Sequence, residues 1–440
     1  MTLDLLRLGI AKRHDDGRVT IHRPGRCGGL GAEIEVPEEL ADRFRLASGD
    51  VVEGPTEPIR AFDCNTALSD ECLEDEIAAD EQRDEPAVLR GEKPPSWIVT
   101  YRAPTETLVD VRRVNGLESD EMESRPFPHR RHPSERTPPE KLIALAAGPG
   151  DVTGRTLDFA APLAAGYAGI VMGAHGSGLS RTLRSVVEGA RESRAFDALI
   201  LLLLRARSEE VTDWRRRFPD VDIVVCPSGL DAAPPDLTLN VAELALACAQ
   251  RQTELGRHVL LAVDSLTALW GTMLEEEGAD AQQHADRSRA RQRIREWVQA
   301  AGNFGGEAPL GGSLGGSLTL VGTAWAQEID AEAEEEGEIH PHLRMLEHIL
   351  FETSWRVPLS GELASARLFP AIDACRCLSR DENRLLAEPL FEQLLAARRD
   401  LSLFDPVERY SRLMSALEAT ENQNEMLDLL VRGMGASPAD

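Results

Sequence analysis

The residues with most to offer chemically lie between 173 and 180. The run Gly173-Ala-His-Gly-Ser-Gly178-Leu179-Ser180 follows an apolar stretch and opens a helical pattern. That is the context a G-x-x-x-x-G-K-[ST] phosphate loop requires. Gly173, Gly176 and Gly178, with Ser177 between them, let backbone N–H groups curl around phosphate oxygens, and the helix N-terminus adds positive potential. Ser180 stands where a hydroxyl would ligate Mg2+. Position 179 is Leu, so the ammonium that reaches the outer phosphates is missing. Arg181 projects in another helical direction and is a poor substitute. His175 could supply a donor, but reads better as an exposed loop histidine. The second chemical element is Val259-Leu-Leu-Ala-Val-Asp264-Ser265, an apolar strand ending in a carboxylate, as on the Mg2+ side of P-loop enzymes. Alone this is a weak signal. After a suitably spaced glycine loop, the two together imply a P-loop fold.

Such residues need a sheet whose strands end along one edge. From about 141 to 385, apolar runs of strand length alternate with helical patterns. Ala168–Met172, Ala198–Leu204, Val221–Val225, His258–Val263 and Ser317–Thr323 read as strands. Between them, Arg181–Glu192 carries Leu183, Val186, Val187 and Ala190 at helical spacing, and a second helix runs from about Asn240 to Glu254. Buried strands alternating with helices imply a parallel sheet covered on both faces.

Residues 1–112 have a different texture. Val19–His22 and Ala32–Val36 alternate apolar with polar, Pro37 opens a short helical stretch, and Gly49-Asp50 turns before Val51-Val52. Short strands with one small helix read as a small β-barrel, which Trp97–Tyr101 and Thr107–Val111 would close. An acidic, proline-containing insertion occupies about 60–95. Residues 113–140, including the basic run Arg125–Pro133, read as an extended linker. Residues 386–440 form a helical extension, with patterns at Leu385–Arg398 and Pro406–Leu417.

The chain has 440 residues, a net charge of −27 and only 5% aromatic residues. Such a charge repels RNA or DNA unless basic groups gather on one face, and few aromatics limit base stacking. No apolar run approaches the roughly 20 residues that span a bilayer. No basic-then-apolar leader pattern opens the sequence. The 7 cysteines are scattered, giving neither a disulfide framework nor a zinc spacing. A reduced cytoplasmic protein with no membrane partner is expected.

Residues 141 to about 385 resemble the bacterial transcription termination factor Rho family. The matching segments are Thr153–Leu163 before the phosphate loop, Ser208-Glu-Glu-Val-Thr212, Val263-Asp-Ser-Leu-Thr267, Gly315-Gly-Ser-Leu-Thr319 and Arg367-Leu-Phe-Pro-Ala-Ile-Asp373. The Val36–Gly54 stretch, with Arg43-Phe44 and Ser48-Gly49-Asp50, resembles that family's cold-shock-type barrel. The resemblance implies an α/β protein. Its RecA-like P-loop core would follow an OB/cold-shock-type barrel and precede a C-terminal helical extension. It implies ATP and Mg2+ as cofactors, RNA as a partner and a hexameric ring. Arg367 and Arg380 would then match the arginines that reach a neighbour's nucleotide.

The departures from that family share a direction. Its loop lysine falls on Leu179, and its acidic pair, whose Glu polarises water, falls on Arg205-Ala206. An alanine cannot orient water. Loss of one such electrostatic group costs roughly 2.7–4 kcal/mol of transition-state stabilisation. Glu209 or Glu210 could substitute, but match ordinary helix-face positions. The barrel strand Gly17–His22 lacks the family's stacking aromatics, and the pore-loop segment Gln327–Glu338 is acidic. The basic stripe Arg287–Arg295 could contact nucleic acid or pair with that acidic segment of the same chain or of a neighbour, and the net charge favours pairing. The expectation is a pseudo-ATPase homologue acting by nucleotide, protein or weak RNA binding, as a homo-oligomer or with Rho or the transcription machinery. The alternative is a divergent but active RNA-dependent ATPase.

Overall fold

The computed structural model describes residues 9–14, 16–24, 30–58, 106–118, 121, 136–227, 234–276, 286–304, 315–326, 345–346 and 349–434. The 60–95 insertion, Trp97–Tyr101, the basic run 125–133 and the acidic segment 327–338 lie outside the described residues.

The N-terminal part is an 8-stranded sheet of order β5-β6-β3-β2-β1-β4-β7-β8. Its strands are β1 (Gly9–Arg13), β2 (Val19–Pro24), β3 (Leu30–Val36), β4 (Val51–Glu53), β5 (Thr56–Pro58), β6 (Glu106–Leu108), β7 (Arg113–Val114) and β8 (Leu117–Glu118). Only Gly54-Pro55 separates β4 from β5. Because β4 pairs with β1 and β5 with β6, the strands wrap around one interior. That interior holds Ala11, Val19, Ile21, Ile34, Val36, Phe44, Leu46, Val52 and Leu108. The expected short helix forms at Glu38–Arg43 with Pro37 at its N-cap.

The second part is a 9-stranded sheet whose main path is β14-β13-β15-β17-β12-β18-β19. These are β12 (Ala168–Gly173), β13 (Ala198–Ala206), β14 (Asp222–Pro227), β15 (His258–Asp264), β17 (Ser317–Trp325), β18 (Trp355–Pro358) and β19 (Leu378–Ser379). β9 (Arg136–Thr137) and β16 (Gly302–Phe304) branch from β17, while β10 (Leu142–Ile143) and β11 (Leu163–Ala164) pair apart. From β14 to β18 the pairings are parallel. Their residues are buried on both faces, which is why the strands read as unbroken apolar runs. The five expected strands are all present. β18 was not expected, because Trp355-Arg-Val-Pro358 is four residues long and ends in proline.

One face is covered by the helices Val152–Ala160, Leu179–Glu192 and Ser208–Arg217. The same core takes in Leu394, Leu401, Leu413, Leu417 and Leu427 of the C-terminal helices Glu388–Leu401, Pro406–Glu418 and Gln423–Met434. Buried Arg155 ties this layer down. Its Nη1 donates to the carbonyls of Leu417 and Thr420 at 2.7 Å each and of Pro149 at 3.1 Å, and its Nη2 donates to Thr420 Oγ1 at 2.9 Å. The other face is covered by Pro235–Glu254, Leu266–Glu276 and Asp286–Gln299.

The small sheet sits on helix Pro235–Glu254. Ile10 and Val51 enter the second core, and Lys12 Nζ donates to Asn240 Oδ1 at 3.1 Å. Gly49 has φ +91°, and a Cβ there would lie 2.3 Å from the Ala247 carbonyl carbon. Glycine is needed at that turn for both reasons.

His22 of β2 is 2% exposed. Its Nε2 lies 3.0 Å from Thr20 Oγ1, which is 2.8 Å from His14 Nε2. Burial, then the charges of Lys12 and His14, push His22 down to about 4, although partly exposed Glu33 approaches Nδ1 at 3.7 Å. A folded pKa below the unfolded one means that protonation favours unfolding. The contribution is complete above about 6.5 and is lost as pH falls toward 4. Buried Asp158, pushed up to about 6 by burial, acts oppositely. Urea unfolding of wild type and His22→Gln separates the two. The wild type should lose stability relative to the variant as pH drops from 6.5 to 4, at up to ~1.4 kcal/mol per pH unit. A pH-independent difference would refute the assignment.

Candidate functional site

The site forms where β12 runs out. Gly173 ends the strand, and a Cβ there would meet Ser177 Oγ at 2.7 Å and Leu359 Cβ at 2.9 Å. Gly176 and Gly178 take φ of +82° and +101°, values that glycine alone adopts cheaply. Gly178 is the N-cap of helix Leu179–Glu192, and no side chain caps it. Its first N–H groups are therefore directed at the loop mouth. Buried Ser177 fixes the turn by donating its hydroxyl to the Ala174 carbonyl at 2.7 Å. His175 is exposed, as expected. Leu179 is half-buried and packs against the first core. The Phe369 ring stands 3.7 Å from where a Gly178 Cβ would be. This aromatic wall was not singled out from the sequence, although the Arg367–Asp373 motif contains it.

Asp264 closes the site from β15. Thr323 Oγ1, on neighbouring β17, donates to Asp264 Oδ1 at 2.6 Å. Oδ2 is shielded from solvent and has no hydrogen-bond partner among the described residues. At the end of β13, Ala206 is buried, and Arg205 turns its guanidinium away to pair with Glu275. Neither position returns a carboxylate to the site.

Glu210 does. Sequence reasoning gave it an ordinary helix-face position, yet it is half-buried, with the Ser180 side chain and Asp264 both acting on its carboxyl. Burial, then the neighbouring Asp264 charge, push its carboxyl above the usual range; Arg184 and Arg207 oppose the shift. Arg184 is already engaged, paired with Asp213 at 2.9 Å and lying over Trp214 at 5.0 Å. The signal was available in Ser208-Glu-Glu. A helix that begins two residues past the β13 end keeps its first turn over the edge where the phosphate loop lies.

The two arginines are not brought together within the chain. Arg367 is exposed at φ +60°, two residues before Phe369, with no side-chain partner among the described residues. Arg380 donates from its backbone N to Ser354 O at 2.9 Å and from Nη2 to Phe351 O at 2.8 Å. Ser354 precedes β18, which runs parallel to β12. Arg380 therefore lies at the edge where those strands begin, and the phosphate loop lies where they end. In helix Asp286–Gln299, Arg293 pairs with Glu243 and Glu276, and Arg295 pairs with Glu352 at 2.8 Å. These partners lie outside the acidic segment 327–338, which falls outside the described residues, so the expected pairing with that segment is not seen here. Among the described residues, no helix is long and apolar enough to cross a membrane.

Comparison with known proteins shows what this arrangement is similar to. No family model matches the chain. Transcription termination factor Rho of Akkermansia muciniphila is 28% identical over 296 residues, covering 66% of this chain and 57% of that protein. Rho of Pseudomonas aeruginosa is 27% identical over 300 residues, 67% and 66% of the two chains. Rho of Bacillus subtilis is 27% identical over 328 residues, 73% and 70%. The chain is Rho-like, and divergent. It spans 57% of the Akkermansia relative's length and 66% of the Pseudomonas one's. Among solved structures, an ATPase of the type III secretion system of pathogenic bacteria superposes with TM-score 0.51 at 15% identity, covering 68% of this chain and 86% of that one. An ATP synthase subunit of Nanoarcheaum equitans gives 0.50 at 14% identity, covering 69% and 78%. These two likenesses bear on fold, and they make the Rho-like core a RecA-like P-loop α/β fold.

Proposed function

We propose that this Rho-like chain is a termination-factor homologue that retains a nucleotide-shaped pocket but not hydrolysis, a cytoplasmic pseudo-ATPase acting by binding. One observation carries the reading. Leu179 and Ala206 occupy the lysine and catalytic-glutamate positions of the resemblance, and both side chains are directed into apolar packing. The loop glycines retain the backbone conformation that fits a phosphate, so ATP would rest on the loop N–H groups with Mg2+ between Ser180 and Asp264. Without the ammonium, weak binding is expected.

The wrapped N-terminal strands support an OB/cold-shock-type barrel. β2 offers buried Thr20 and His22 in place of stacking aromatics, so RNA affinity should be low. Exposed Arg367 supports a ring-type homo-oligomer, or mixed assembly with Rho, in which it meets a neighbour's phosphate. Glu210 favours the alternative, an active RNA-dependent ATPase in which this carboxylate serves the water-orienting role. A sensitive ATPase assay separates the readings. We expect no RNA-stimulated turnover; turnover abolished by Asp264→Asn would establish the alternative.

A further inference from the structure

Resting on the phosphate-site reading above, we propose that Arg409 and Tyr410 of the C-terminal layer are positioning residues for the phosphate loop. They act through residues 358–373, which stand between that layer and the loop. On its inner side this segment meets the loop at two glycines. Leu359 N donates to Met172 O at 2.7 Å, and a Cβ on Gly173 would lie 2.9 Å from Leu359 Cβ. The Phe369 ring stands 3.7 Å from where a Gly178 Cβ would be. The segment folds back on itself, so these contacts belong to one unit. Leu359 pairs with Ile372 in an antiparallel bridge, Ser360 N donates to Ala371 O at 2.7 Å, and Asp373 N donates to Pro358 O at 3.1 Å.

The outer side is gripped by the start of helix Pro406–Glu418. Half-buried Tyr410 donates its hydroxyl to the Phe369 carbonyl at 2.8 Å. Arg409 Nη1 pairs with Asp373 Oδ1 at 2.8 Å, and both side chains are largely shielded from solvent. Arg409 is itself fixed, donating from Nε to Leu401 O at 3.2 Å and from Nη2 to Phe404 O at 3.0 Å. Asp405 caps the helix by accepting from the Val407 and Glu408 N–H groups. Leu413 and Leu417 would attach this helix to the core without either contact, but apolar packing has no direction. A hydrogen bond and a shielded ion pair do have one, and here they hold Phe369 and Asp373, the two ends of the turn. The wall of the loop mouth therefore takes its position from the C-terminal layer.

The test is hydrogen exchange on the ligand-free full chain as wild type, Tyr410→Phe and Glu408→Gln. Tyr410→Phe removes one hydroxyl and should melt close to wild type. Exchange should rise about three- to tenfold, the equivalent of one neutral hydrogen bond, at residues 369–373. It should rise also at the Ser177 and Thr182 amides, which donate to Ala174 O and Gly178 O. Glu408→Gln, on the same turn but paired with Arg412, should match wild type. On the Leu179→Lys background, Tyr410→Phe should weaken Mg-ADP in calorimetric titration by a similar factor, and bound ADP should protect residues 404–410 in return.

Faster exchange confined to 369–373, with the loop amides at wild-type rates, overturns the proposal. So does a Tyr410→Phe variant that exchanges like wild type, or a Glu408→Gln variant that loosens the loop equally. If Mg-ADP binds neither background while the loop amides still respond to Tyr410→Phe, the nucleotide reading falls and the positioning role stands.

Discussion

Replacing Leu179 by Lys should raise affinity for Mg-ADP by about ten- to a hundredfold, or roughly 1.4–2.8 kcal/mol. The backbone for phosphate is already in place, since Gly176 and Gly178 hold the required positive φ values and Gly178 opens the helix. What is missing is a charge. A lysine at 179 could leave its aliphatic stem against the core residues that Leu179 now touches and extend its ammonium to the loop mouth. The cost in lost apolar burial is smaller than for a fully buried leucine, because Leu179 is half-buried. Calorimetry on both proteins decides the matter. No gain would mean that the pocket has closed around Phe369 and Leu359 and is no longer a nucleotide site. Hydrolysis should not return with affinity, because Ala206 still offers no group to orient water.

Arg155→Leu should destabilise the chain by about 3 kcal/mol or more. Arg155 is 3% exposed and donates to the Pro149 carbonyl beside its own helix and, across the join to the C-terminal helices, to the carbonyls of Leu417, Thr420 and Asn422 and the Thr420 hydroxyl. Charge-assisted hydrogen bonds contribute about 1.5–3 kcal/mol each, and the carbonyls of Leu417 and Thr420 would lose this donor. Urea unfolding would show a lower midpoint, and limited proteolysis should open the segment near residues 417–422. An unchanged midpoint would mean that the leucines of the C-terminal layer hold it without the arginine.

The central sheet was legible because strands buried on both faces leave unbroken apolar runs, as in Ala198–Leu204. β18 escaped because four residues ending in proline carry no such pattern, although this strand flanks the phosphate loop's own strand. The first five residues of helix Pro235–Glu254 were also missed, since two prolines precede its periodic stretch. In the site, Leu179 and Ala206 could be read from position alone. Glu210 could not, because its importance depends on the direction in which the first turn of helix Ser208–Arg217 faces after β13. The separation of Arg367 from Arg380 was equally hidden. Six residues follow Asp373 before Arg380, and in that span the chain crosses to the other end of the sheet.

Leu179 also changes what the empty protein is. An enzyme loop that gathers cationic groups for a ligand is under internal repulsion until that ligand arrives, a common reason that active sites are locally unstable. Here the corresponding residue joins the hydrophobic interior, and the loop closes on its own serine. The ligand-free state is thus its own resting minimum. A nucleotide held weakly, without the ammonium, should add little to the melting temperature. The fold should therefore hold whatever the cell's nucleotide supply.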